Sequence, residues 1–164
     1  ESAVPVWRAI LGQGDDRIVI PAGLGSRDSL RLEVGYALYG NDLDEGRNPL
    51  EAGLGWVTKL DTDFIGRDAL ARIKEQGVEE KLIGFRMLER GFPRPGYELS
   101  HDGQVVGKVT SGTVSPSLGV GLGMGYVPAS LAKPGTSIDV VVRNQSIPAE
   151  VVRPPFYTEG SIRR

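Results

Sequence analysis

The sequence predicts an α+β fold: a mixed α/β segment over residues 1–77 followed by an antiparallel β-domain, barrel or sandwich, over residues 78–164. Three observations lead there. The 164 residues include 23 Gly and 11 Pro, a density of turn formers that favours short strands over a helical bundle. Apolar residues recur at helical spacing before Gly77 and at alternate positions after it. The length suits one compact domain or two small ones.

Taken in order, residues 3–11 read as a short helix opened by Pro5, with Val6, Ile10 and Leu11 at helical spacing and Gly12 and Gly14 ending it. Residues 18–24 form a short apolar run with the look of a strand. Ser26 then stands as an N-cap with Asp28 in the first turn, predicting a helix over about 28–35 stopped by Gly35. Residues 39–55 are turn-rich. Asp61-Thr62-Asp63 leads into a helix over 66–76, with Ile65, Ala69, Leu70 and Ile73 on one face. Beyond Gly77, Ile83, Phe85 and Met87 alternate as in a half-buried strand. Asp102-Gly103 between 97–99 and 104–110 signals a type I′ hairpin. A Gly-rich stretch over 121–127 carries Met124, Tyr126 and Val127. Ile138, Val140 and Val142 then alternate, Asn144-Gln145 turns the chain, and Ile147, Ala149 and Val151 alternate on the return.

Composition removes several classes of function. With 40% apolar and 24% charged residues and a formal net charge of −2, the chain has no basic face of the kind that drives nucleic-acid binding. No apolar stretch reaches the roughly 20 residues of a membrane helix. The absence of cysteine excludes disulfides, thiolate catalysis and Cys-based zinc sites, and the single histidine, His101, excludes a His–His metal pair. His101 reads as an exposed turn residue. The N-terminus has no signal-peptide pattern. It starts at Glu1 rather than Met, which reads as a processed protein or a fragment. A cytosolic setting is allowed.

Residues 23–33, Gly-Leu-Gly-Ser-Arg-Asp-Ser-Leu-Arg-Leu-Glu, concentrate the chemical interest. Glycines permit close backbone approach ahead of a helix start, and Arg27 would project from that start as a planar, always-charged fork suited to a carboxylate or a polar-edged ring. The competing account is an Arg27–Glu33 or Arg31–Asp28 ion-pair network on a solvated helix. Trp56, beside Gly55, is either a stacking surface for an aromatic ligand or a core residue. Asp42, Asp44 and Glu45 lack calcium-loop spacing and read as solvated surface. Ser111, Ser115 and Ser117 lack a nucleophile elbow, so a serine hydrolase is not expected.

Along nearly its whole length the chain resembles the glycine cleavage T-protein family. Residues 23–33 carry the resemblance, with Leu38-Tyr39-Gly40-Asn41-Asp42 and Asp44-Glu45, Pro49-Leu50-Glu51-Ala52-Gly53-Leu54-Gly55-Trp56, and Asp63-Phe64-Ile65-Gly66-Arg67-Asp68-Ala69-Leu70. In the β-region they are residues 110–118, Gly125-Tyr126-Val127-Pro128 and Pro155-Phe156. The resemblance implies an aminomethyltransferase. Such an enzyme moves a one-carbon unit from the aminomethyl-lipoyl arm of a partner, the H-protein, to tetrahydrofolate and releases ammonia. It implies that Arg27 contacts folate, that Trp56 lines the same channel, and that residues 78–164 form a small terminal antiparallel β-barrel. Tyr157 and Ser161 fall in a poorly matching tail. Family members are about twice as long. The half carrying the catalytic aspartate has no match here, so the implied partners are the lipoylated H-protein and a missing N-terminal half of the same protein, in the bacterial cytoplasm or the mitochondrial matrix. The alternatives are a folate-binding non-catalytic relative, the C-terminal part of a sarcosine or dimethylglycine oxidising enzyme, or a module that only docks the lipoyl carrier.

Overall fold

A computed structural model describes residues 2–12 and 19–160. Three helices precede six strands. The helices are α1 (Ala3–Gly12), α2 (Leu24–Val34) and α3 (Arg67–Gln76). The strands are β1 (Glu80–Met87), β2 (Glu98–His101), β3 (Gln104–Val114), β4 (Gly121–Pro128), β5 (Ser137–Val142) and β6 (Gln145–Val152). They close an antiparallel barrel in the order β1-β4-β3-β2-β5-β6, so the α+β class holds and the barrel is chosen over the sandwich. Closure leaves no open sheet edge.

Alternation builds the barrel interior. Ile83, Phe85, Met87, Leu99, Val109, Val127, Ile138, Val140, Ala149 and Val151 form one buried cluster. Strand β4 is buried on both faces. Its Gly123 and Gly125 pair with Phe85 and Ile83 of β1 and face inward with them. A Cβ on Gly123 would lie 2.3 Å from the Phe85 ring, and one on Gly125 2.8 Å from Leu99 Cδ1. Neighbouring side chains thus fill the space that β4 leaves empty. Its other face carries Leu122, Met124 and Tyr126, all buried, and part of this face is covered by the segment around α2. The β2–β3 hairpin turns at Asp102 (φ 51°) and Gly103 (φ 75°), as a type I′ turn requires.

Several local expectations shift. Gly23, in extended backbone (φ −82°, ψ 169°), holds the N-cap of α2 in place of Ser26. The Ser26 hydroxyl instead donates to the Gly23 carbonyl at 2.7 Å. Residues 19–23 are not a strand, because no neighbouring strand is there to pair with them, and Ile20 lies exposed; residue 18 and Gly14 lie outside the described residues. Helix α3 begins after Gly66 (φ 91°) and buries none of its residues, so its apolar stripe does not reach the core. The β5–β6 turn falls on Arg143-Asn144 (φ 50° and 64°), one residue earlier than expected. His101 ends β2 half-buried, its Nδ1–H donating to the Ser137 carbonyl at 2.8 Å.

Candidate functional site

The α2 segment is fastened to the barrel by two buried carboxylates. Glu33 is 3% exposed. Its carboxylate accepts hydrogen bonds from the Ser115 hydroxyl, from the Ser117 amide at 3.0 Å and from the Ser117 hydroxyl at 2.9 Å. Burial pushes the Glu33 pKa up, but these hydrogen bonds to the charged form outweigh it and leave the carboxyl below its ordinary value. The Glu33 carbonyl accepts from the amides of Phe156 and Tyr157, tying the C-terminal segment to the same helix end. Gly35, in the left-handed region (φ 81°), closes α2 against Pro154, where any side chain would collide.

Asp42 is the second anchor, 1% exposed. It accepts from Arg31 Nη1 at 2.8 Å, the Leu38 amide at 2.8 Å, and the hydroxyls of Ser111 and Thr110. Arg31 also donates to Asp28 and to the Ser111 hydroxyl. A helix cation, a loop anion and a strand hydroxyl thus satisfy one another, as buried charge requires. Tyr126 extends the network. Its hydroxyl donates to the Asp42 carbonyl, Arg47 lies 4.0 Å above its ring, and burial pushes its phenol up to about 12 against the pull of Arg47. Arg47 is paired with Glu80, and the Glu51 carbonyl accepts from the Leu82 amide, so the turn-rich loop is held onto β1 and β4.

This corrects the reading of Asp42 as solvated surface. Asp44, which caps the Gly46 amide at 2.8 Å, does stay in an exposed turn. Of the two expected ion pairs, Arg31–Asp28 forms at 2.6 Å, while Glu33 is engaged by serines. The signal for this docking was present in Ser111, Ser115 and Ser117, weighed only as nucleophiles when their hydroxyls serve buried carboxylates.

The two residues expected to touch a ligand stand outside this network. Arg27 is exposed and makes no ion pair among the described residues. Trp56 is 74% exposed and takes no part in the core of the described residues. No cation–π contact joins the two. Ile20, Leu24, Leu30, Tyr36 and Tyr39 are also exposed, and so are Val4, Val6, Trp7 and Ile10 of α1. Where such exposed apolar side chains gather into one contiguous patch, they mark an interface or a ligand site. Tyr157 is half-buried, and Ser161 lies outside the described residues. Among the described residues no helix is long and apolar enough to cross a membrane.

Comparison with known proteins adds three findings. A model of the glycine cleavage T-protein C-terminal barrel domain matches residues 80–158, and one of the GCVT N-terminal domain matches residues 1–62. The chain is 55% identical over 157 residues to an aminomethyltransferase of Halothermothrix orenii, covering 95% of this chain and 44% of that protein. It is 50% identical over 163 residues to one of Nostoc sp., covering 98% of this chain and 42% of that protein. It superposes on the crystal structure of the glycine cleavage system aminomethyltransferase T from Bartonella henselae with a TM-score of 0.86 and 33% identity, over 94% of this chain and 44% of that one. The chain therefore spans less than half the length of these relatives.

Proposed function

The chain belongs to the glycine cleavage T-protein family, and from that premise we propose that it is the C-terminal portion of a tetrahydrofolate-dependent aminomethyltransferase, with residues 1–77 closing the folate-binding domains and residues 78–164 forming the terminal barrel. The observation that carries this reading is the free surface of the α-segment. Among the described residues Arg27 forms no ion pair and Trp56 is exposed, while Glu33, Arg31 and Asp42 are spent on docking. An exposed guanidinium and an exposed indole suit a ligand with a flat conjugated ring and acidic groups. Bound there, tetrahydrofolate would accept the one-carbon unit from the lipoyl arm of the H-protein.

The chain's own contribution is positional. Arg27 would hold an acidic or polar edge of the cofactor, Trp56 would cover a ring face and exclude water, and the buried ionic network would keep both in register with the barrel. The catalytic carboxylate would come from the companion half that the relatives carry, in a cytoplasmic or mitochondrial-matrix enzyme.

The test is reconstitution with that companion half. Ammonia release should then depend on tetrahydrofolate and on lipoylated carrier protein. Arg27→Ala should weaken folate binding by about 1–3 kcal/mol, the scale of a lost charged hydrogen bond. Unchanged folate affinity would remove Arg27 from the site.

A further inference from the structure

A cleft lies at the end of the barrel that carries the β1–β2 loop and the β5–β6 turn, and no residue of the 1–77 segment lines it. It encloses about 490 Å³, within the range of small-molecule sites. Phe92 and Tyr97 supply aromatic wall, Val142 and Ile147 apolar floor, and Arg94 and Arg143 the charge; no carboxylate lines it. Among the described residues neither arginine forms an ion pair, so two guanidiniums, with Gln145 beside them, border a mixed polar and apolar cleft without a carboxylate.

Two backbone features bear on this arrangement. Pro93 is fully buried and packs against Gly112 and Gly121, where a Cβ would meet its carbonyl oxygen at 2.4 Å and its Cδ at 3.0 Å. Its flanking residues Phe92 and Arg94 are both exposed at the rim, with the Arg94 guanidinium lying 4.9 Å from the Phe92 ring centroid. Arg143 occupies the first left-handed position of the β5–β6 turn (φ 50°), where asparagine, aspartate or glycine is favoured and a long side chain is not. A residue that the turn disfavours, aimed at a cleft with a second free arginine, is the kind of local cost that accompanies a binding role.

We propose that this cleft binds a small organic anion, with one carboxylate or phosphate group held by Arg94 and Arg143 and an aromatic or apolar body packed on Phe92 and Tyr97. Paired guanidiniums match the oxygens of such a group, and the aromatic wall selects ligands that carry a ring over free inorganic anions.

The test uses the gene product that carries this chain and three probes, 1-naphthyl phosphate, 1-naphthol and inorganic phosphate, followed by titration calorimetry at low and high salt. The naphthyl phosphate should bind most tightly and lose affinity as salt rises. Arg143→Asn, which suits the turn better than arginine, should cut that affinity about tenfold, as expected for a lost charged hydrogen bond, with a melting temperature equal to or above the parent's. Arg94→Ala should act in the same direction on binding. Equal affinity for 1-naphthol or for inorganic phosphate would overturn the proposal, as would an Arg143→Asn protein that binds like the parent or a parent that binds no probe at millimolar concentration.

Discussion

The barrel and the segment before it use opposite means of holding their shape. The barrel buries a continuous apolar interior, with Phe85, Leu99, Val127 and Val140 fully enclosed. In residues 19–77 the buried side chains are few, and Glu33 and Asp42 stand among them beside Leu32 and Ala52. The barrel therefore carries its own hydrophobic stabilisation. The segment takes its position from the barrel through directional polar contacts and leaves many of its large apolar side chains exposed. Burial without direction gives stability, and burial with direction gives placement. A surface that must meet a second body needs the latter.

The largest effect should come from the barrel interior. Phe85→Ala removes a fully buried ring and should cost about 3–5 kcal/mol of global stability in denaturant unfolding. A loss near zero would mean that the barrel does not carry the fold. Next comes the docking network. Asp42→Ala leaves the Arg31 guanidinium, 9% exposed, without its buried partner, and should cost about 3 kcal/mol. Hydrogen exchange should locate that loss in residues 24–53 and leave the barrel strands protected; equal deprotection of both regions would erase the distinction between them.

A smaller effect should follow pH. Glu33 holds its proton less tightly in the folded chain than in the unfolded one, whose value is near 4.5. Its contribution is therefore complete above about pH 4.5 and is lost as pH falls through the lower folded value. Protection of α2 should drop over that acid window before the barrel unfolds. Glu33→Gln should flatten the dependence and cost about 1–3 kcal/mol at neutral pH. The smallest effect belongs to Arg27→Ala, expected to change stability by less than about 0.5 kcal/mol. A larger loss would make Arg27 part of the scaffold and unsettle its assignment to a ligand.

What could be read from the residues alone divides along the same line. Strands β1, β5 and β6 announce themselves through period-two alternation, and Asp102-Gly103 through turn chemistry, because the side-chain pattern and the buried face coincide there. Helix α3 has an equally clear apolar stripe, yet its stripe stays largely uncovered: periodicity reports which face is apolar and not what lies against it. The burial of Asp42 is not legible from its neighbours in sequence, because two of its partners, Thr110 and Ser111, are 68 and 69 positions away, and the serines and threonine there give no sign of which carboxylate they serve. Arg27 and Trp56 were singled out by their neighbouring glycines and by family resemblance, and their exposure agrees with either ligand or partner contact.

The thinness of β4 has one more consequence, for exchanging parts between relatives. Because the Phe85 ring sits over Gly123 and Leu99 over Gly125, the bulk at those places belongs to other strands. Introducing even a methyl at position 123 requires a smaller residue at 85. Chimaeras that transplant β4 without β1 should therefore fail wherever the donor has moved bulk from one strand to the other, while those that move the two strands together should fold. The pair behaves as one heritable unit, although Phe85 and Gly123 are 38 positions apart along the chain.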